Sequence, residues 1–341
     1  MHGAREESNL SPRDSLGVVD SLKVGFEIVG RHWGVILLPI GIDLWLWWGP
    51  RFSILPLVEQ MSALMYTSYP GMDLETVRQA MEGMEALRQF AGHFNLFSLL
   101  SILPLLQVPT LLVHSPLDAA SPLGTAYVAS LKAGFPALLL AGGILSLGLC
   151  LGVIYLVWLA RTVRTIQEET PVQSKRTGLF KLTSLFLFLG GFLFIGLVVF
   201  PLWLLLIGVL TLFSPTVGAI AWLLTVVTLI YIALHLLFVI PGVLVGGRGL
   251  FRATWESFVL IQTQFPSVVG LLLLSMLIYH GLKLIWSLPT EDSWALLVGV
   301  IGNACVATGL TAGLFVFYQE RVKRLSELLP VLKPGLKSDE T

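Results

Sequence analysis

FPALLLAGGILSLGLCLGVIYLVWL, residues 135–159, runs for 25 positions without a charged side chain. A bilayer core about 30 Å thick needs about 20 helical residues to cross, so this stretch is long enough by itself. Hydrocarbon offers the backbone no water to bond to, and a helix is the one local structure that satisfies every N–H and C=O within its own segment. The stretch therefore reads as a transmembrane helix, and the remainder of the chain is placed relative to it.

Similar runs recur. Of the 341 residues 55% are hydrophobic and only 12% charged, and the mean hydropathy is +0.83. A water-soluble chain of this length would suggest two domains, but this balance makes lipid the expected solvent. Six spans are predicted, at residues 33–48, 135–159, 182–213, 216–245, 266–285 and 293–318, in a single all-α membrane domain. The first is short, and GFEIVGRH, residues 25–32, is expected to begin its helix in the membrane interface. The third and fourth have at least 30 residues each, about 45 Å of helix. Tilting or kinking is expected there, with Gly190, Gly191 and Pro201 as bending points in the third.

Charge placement sets the orientation. Lys plus Arg and Asp plus Glu both total 21, so nothing favours nucleic acid as a partner. With the N-terminus inside, residues 1–33, 161–181, 247–265 and 319–341 hold four, five, two and five basic residues, 16 of the 21. The outer side keeps only Arg51, Arg78, Arg88, Lys132 and Lys283, although its loop, residues 49–134, is the longest. The positive-inside rule then puts both ends in the cytoplasm of a bacterial cell, with the protein in the inner membrane. Residues 1–20 lack an apolar core of the signal-peptide kind, so the first span is expected to target the chain. Trp45, Trp47, Trp48, Trp286 and Trp294 fall at the outer boundary as an aromatic belt.

Two segments of the outer loop have a character of their own. In residues 73–93, Leu74, Val77, Met81, Met84 and Leu87 recur at three- and four-residue steps, the period of an amphipathic helix. Asp73 and Glu75 suit the positive end of its dipole, and the helix is expected to pack on the outer ends of the spans. Residues 95–115 are apolar enough to enter the membrane, but Pro104 and Pro109 interrupt them. A full crossing would push the basic loops outside, so a broken interfacial or re-entrant segment is expected.

SLKVGF, residues 21–26, returns as SLKAGF, residues 130–135, with a looser echo in LFRATW, residues 250–255. The charge count places the middle copy on the opposite side of the membrane from the others, which disfavours a parallel duplication. The first and third share a physical task instead: a basic residue snorkels to the surface while an aromatic one turn away enters the interface. LFRATWESFVLIQTQFPSVVGLLLLSMLIY, residues 250–279, followed by a final span ending FVFYQERVKR, residues 315–324, resembles bacterial multi-span proteins similar to the membrane domain of glycerophosphodiester phosphodiesterases. The likeness covers roughly residues 180–325. It implies an amphipathic entry helix, a hairpin of spans and an aromatic-plus-basic exit. HWGVILLPIGIDLWLWWGPRFSI, residues 32–54, resembles the first span of uncharacterised bacterial membrane proteins. Neither likeness brings catalytic residues with it, and the phosphodiesterase activity is not carried over.

Few side chains are candidates for chemistry. Asp43 is the single acidic residue within a predicted span, and a carboxylate at depth costs on the order of 3 kcal/mol. It is read either as a proton- or cation-coupling group or as a carboxylate close to the outer interface. His235 and His280 are the other ionisable candidates, each set against a buried neutral imidazole bonded to a carbonyl. His280, Lys283, Glu291 and Asp292 gather near the outer turn, where Thr290 is expected to cap the last span. Gly148 with Gly152, Gly242 with Gly246 and Gly309 with Gly313 have the spacing of close helix contacts, and Asn303 lies among small residues where it is expected to bond across such a contact. Whether these join spans or subunits is open. Cys150 and Cys305 both fall in apolar runs and read as free thiols. HExxH, the phosphate-binding GxxxxGK[ST] and GxSxG are all missing from the sequence, and GGRG at residues 246–249 lacks the phosphate-loop lysine. No cofactor or metal is expected. The reading is a non-enzymatic membrane module, as a complex subunit, scaffold or lipid-binding protein, with a small ion-coupled transporter using Asp43 as the alternative. Its partners are the lipid bilayer and either another membrane protein or further copies of the chain.

Overall fold

The protein is described from a computed structural model covering residues 17–66, 74–101, 108–167 and 177–332. Its helices, in chain order, are α1 (Val18–Arg31), α2 (Leu37–Trp48), α3 (Leu55–Tyr66), α4 (Leu74–His93), α5 (Gly134–Gln167), α6 (Thr177–Phe194), α7 (Phe200–Phe213), α8 (Pro215–Leu236), α9 (Val239–Leu244), α10 (Leu250–Thr263), α11 (Phe265–Trp286) and α12 (Leu296–Leu332). The fold is all-α apart from short strands between α2 and α5, in the predicted outer loop. Of these, β1 (Arg51–Ser53) pairs in parallel with Val128–Ser130, with Arg51 opposite Val128.

By length and composition four stretches qualify as membrane spans: Gly134–Thr165, Pro215–Leu244, Phe265–Trp286 and Leu296–Arg324. A fifth is obtained if Val18–Arg31 and Trp33–Trp48, bent by 92°, count as one. The six predicted spans are thus not matched one for one. Residues 182–213 do not form one uniform α-helix, because a π turn over Ile195–Val199 separates α6 from α7. Pro201 stands at the start of α7 and has no N–H for the carbonyl four residues back, at Leu197, so the ladder widens within that turn. The break falls at the proline end of the predicted span rather than at Gly190 and Gly191.

α12 organises the bundle. Two-thirds (67%) of its most apolar window is buried, against 11% for α11, so neighbours surround α12 while α11 turns most of its surface away from the bundle. α1 lies against the middle of α12, with Leu22 and Ser21 at Gly313 and Phe26 at Gly309. The chain then turns at His32 through a short 3₁₀ stretch, Trp33–Ile36, into α2. Gly34 there meets the ring of Trp158, one turn before Arg161 on α5. The turn therefore sits beside the basic end of α5. Phe26 is a correction: it packs on Gly309 instead of entering the interface. The buried Tyr155 hydroxyl of α5 donates to Thr308 of α12 at 3.0 Å, a cross-helix bond of the kind that joins apolar helices in lipid.

The outer loop folds back onto the bundle. α4 pairs with α3 through Val58, Met84 and Ala91, and Leu74 stays 87% exposed. The predicted helix is present, but its apolar face meets α3 rather than the ends of the spans; Asp73 lies outside the described residues. The apolar segment is broken as expected, into 3₁₀ turns at Leu96–Leu100 and Leu112–His114. Pro104 lies outside the described residues. Leu100 reaches α5 at Gly148, where a Cβ would come within 2.8 Å of the Leu100 carbonyl oxygen. The two hexamers differ in structure as well. SLKVGF is interior helix, while SLKAGF runs from the last residue of a strand into the first two of α5.

Candidate functional site

Asp43 projects from the middle of α2 and is fully buried. Its carboxyl group accepts from two backbone N–H groups of the returning segment. Leu111 donates to both Oδ1 and Oδ2 at 2.9 Å, and Leu112 donates to Oδ1 at 2.9 Å. Those N–H groups open the short 3₁₀ turn at Leu112, and a free helical N-terminus attracts a carboxylate. Of the cations, Lys283 exerts its field on Asp43, while its ammonium lies 5.8 Å from the ring centre of Tyr279. Asp43 thus ties α2 to the outer loop, 68 residues further along the chain.

One turn beyond the end of α2, Arg51 is the second fastener. It is 1% exposed. Nη1 donates to the carbonyl oxygens of Pro116, Leu117 and Ala119 at 2.9, 3.0 and 2.9 Å, and Nη2 to that of Trp47 at 3.4 Å. Burial lowers its pKa, and the charges of Glu291 and Asp118 oppose that shift. Trp47 completes the joint, with Nε1 donating to the Glu291 carbonyl oxygen at 2.7 Å. It stacks on Trp48 at 5.1 Å, and Trp294 meets both rings edge-on. Trp45 and Trp294 are about half exposed, whereas Trp47 is completely buried and belongs to this joint.

The other candidates are scattered. His280 is exposed beside Tyr279 and takes no part in the joint. Of the predicted outer cluster, Glu291 meets Ser115 and feels Arg51, and Lys283 faces Tyr279. Thr290 does not cap the last span, since α12 begins only at Leu296 after turns in which Ser293 accepts from the Ala295 N–H. His235 bonds through Nδ1 to the Tyr231 carbonyl at 2.8 Å, and its ring lies 4.9 Å from that of Phe258 on α10. The half-buried ring thus stands on a different part of the bundle from Asp43. Asn303 is 1% exposed, but its Nδ2 has no hydrogen-bond partner among the described residues, so the expected cross-helix bond from that nitrogen is missing.

The glycine pairs join elements of one chain. Gly309 and Gly313 receive α1, and a Cβ on Gly25 would strike the Gly313 nitrogen. Gly242 and Gly246 pack under Ala253 and the Tyr318 hydroxyl, and Gly148 receives Leu100. Gly152 is buried in α5. The partner Gly25 carries no second glycine four residues away, so spacing alone does not reveal it.

At the opposite end from the Asp43 joint the arginines converge. Arg164 of α5 donates to the Leu244 carbonyl. Arg248 and Arg252 flank Glu256 at 3.3 and 2.9 Å, and the Tyr318 hydroxyl donates to the same carboxylate at 3.2 Å. Two lateral grooves lie on either side of α6. One, of about 660 Å³, is lined by Val153, Ile154, Val157, Trp158 and Arg161 with Phe186 of α6. The other, of about 470 Å³, is formed chiefly by Phe251, Trp255 and Phe258 of α10 with Phe188. Phe251 and Trp255 are strongly exposed.

Both cysteines are free, and no group of three metal-ligating side chains occurs among the described residues. The described residues therefore offer structural joints and apolar grooves rather than a paired acid and base. No protein-family model, curated protein or solved structure matches the chain.

Proposed function

We propose that the chain is a non-enzymatic membrane module, a complex subunit, scaffold or lipid-binding protein, crossing the bacterial inner membrane six times with both ends in the cytoplasm. The observation that carries this reading is the use made of Asp43. Its two oxygens hold the Leu111 and Leu112 N–H groups, so the most deeply buried carboxyl group among the described residues closes the fold. The gathering of Arg164, Arg248 and Arg252 at the end remote from that joint supports the orientation.

The alternative is a small transporter in which Asp43 couples to an ion. That role asks the carboxyl group to exchange partners during each cycle, and a second titrating group should stand near it. His235 is occupied elsewhere, against Tyr231 and Phe258. The test is Asp43→Asn in purified protein and in liposomes. The amide presents a donor to two backbone donors, leaving a buried N–H unbonded, and the expected loss of stability is about 2 kcal/mol. Proton, sodium and potassium leak should be equally low for both proteins. A flux that the wild type supports and the variant lacks would overturn the reading in favour of transport.

A further inference from the structure

The groove between α5 and α6 ends on a cation that the described residues leave unneutralised. Val153, Ile154 and Val157 line it at helical spacing, followed by Trp158 and, one turn further, Arg161. Arg161 is exposed, and its guanidinium makes no ion pair or side-chain hydrogen bond among the described residues. On its inner side the Trp158 ring faces Gly34, where a Cβ would stand 3.4 Å from it.

We infer that this groove holds one anionic phospholipid of the inner leaflet, with an acyl chain along Val153, Ile154 and Val157 and its phosphate at Arg161. The inference rests on the membrane-module reading above and names the ligand class of that module. Three features select this occupant. The groove belongs to the span Gly134–Thr165, and Ile154 and Trp158 are 54% and 41% exposed on its outward side, so what reaches it comes sideways from the bilayer. Its lining is apolar over a length that suits a chain and not a compact solute. Its cation lies at the end where the basic residues gather, and a guanidinium fork matches two phosphate oxygens at once. Basic pockets between spans on the cytoplasmic side are recognised sites for anionic headgroups.

The test is native mass spectrometry of the full-length protein in mild detergent, titrated with dioleoylphosphatidylglycerol or dioleoylphosphatidylcholine. One phosphatidylglycerol should be retained in preference to phosphatidylcholine. Arg161→Gln should weaken it about fivefold, the effect of one basic residue at a headgroup, and weaken phosphatidylcholine, whose phosphate is offset by its own choline cation, by less. Ile154→Trp fills the groove with Arg161 intact and should reduce retention of phosphatidylglycerol as well. Thermal unfolding of each variant near the wild-type midpoint establishes that it folds. An undiminished preference in Arg161→Gln, or wild-type retention in both variants, overturns the site and leaves only ordinary surrounding lipid. Released fatty acid or lysolipid in the same spectra would instead overturn the non-enzymatic reading, while an Arg161-dependent preference would still support the site, so the two failures are told apart.

Discussion

Glu291 is where pH enters this fold. It stands in the turn between α11 and α12, and burial pushes its carboxyl pKa up, although a hydrogen bond from Ser115 and the charge of Arg51 both favour the ionised form. A raised folded-state pKa means that the folded protein binds the proton more tightly than the unfolded chain. Stability from this group is then greatest at low pH and is lost as the pH rises through the folded value. Glu291→Gln should accordingly unfold no earlier than the wild type at neutral pH, and its midpoint should change less between neutral pH and the ordinary carboxylate range. Thermal melts across that range decide it; a variant markedly less stable at neutral pH would show that the favourable field of Arg51 outweighs burial. Asp43 and Arg51 show what can be read at this scale without a structure. The cost of a carboxylate in an apolar run marked Asp43 as a residue with a task, but its partners are the N–H groups of Leu111 and Leu112, and no local pattern announces bonds over such a separation. Arg51 counted only as an outer charge, because nothing in its neighbours foretells the three carbonyl oxygens that enclose it.

Between elements, the contact that governs assembly is α1 on α12. Gly25, Gly309 and Gly313 let the two backbones meet, and a Cβ on Gly25 would collide with the Gly313 backbone, which no rotamer change relieves. Gly25→Ala should therefore destabilise the protein by about 1–3 kcal/mol, the usual consequence of overpacking. Gly30, on the same helix, has open space around its would-be Cβ, so Gly30→Ala should be neutral or stabilising by up to about 1 kcal/mol through helix propensity. Midpoints of thermal unfolding in detergent compare the two, and equal effects would refute close backbone packing as the cause. The four-residue glycine spacing on α12 was legible because close approach needs small residues on one face. The surface it receives was not, since it presents a single glycine flanked by Leu22 and Phe26. The stripe on α4 taught the converse: period identified a helix correctly, but period cannot say what the apolar face meets, and much of it remains exposed beyond its contact with α3.

For the molecule as a whole, the open quantity is how α6 and α7 cross. Hydropathy treats residues 182–213 as one span because it averages over composition, whereas the ladder responds to the missing N–H of Pro201 and interposes a π turn. A π turn need not end a crossing, since its carbonyls and N–H groups still bond within the segment. On the six-span reading proposed above, α6 and α7 together carry the chain from the basic loop before Thr177 to the outer surface at Ser214, which caps α8. This geometry predicts a labelling pattern in a background with Cys150→Ala and Cys305→Ala. In intact cells a membrane-impermeant maleimide should label Glu85→Cys, Ser214→Cys and Asp292→Cys from outside. Glu27→Cys and Thr263→Cys should react only after permeabilisation. Ser214 decides the count: with both flanking loops inside, an outward Ser214 requires α6–α7 and α8 each to cross, giving six spans when the α1–α2 pair crosses once. Labelling of Ser214→Cys only after permeabilisation, with Glu85→Cys still outside, would instead make the α7–α8 hairpin a structure that enters and leaves on the cytoplasmic side, and four spans would remain.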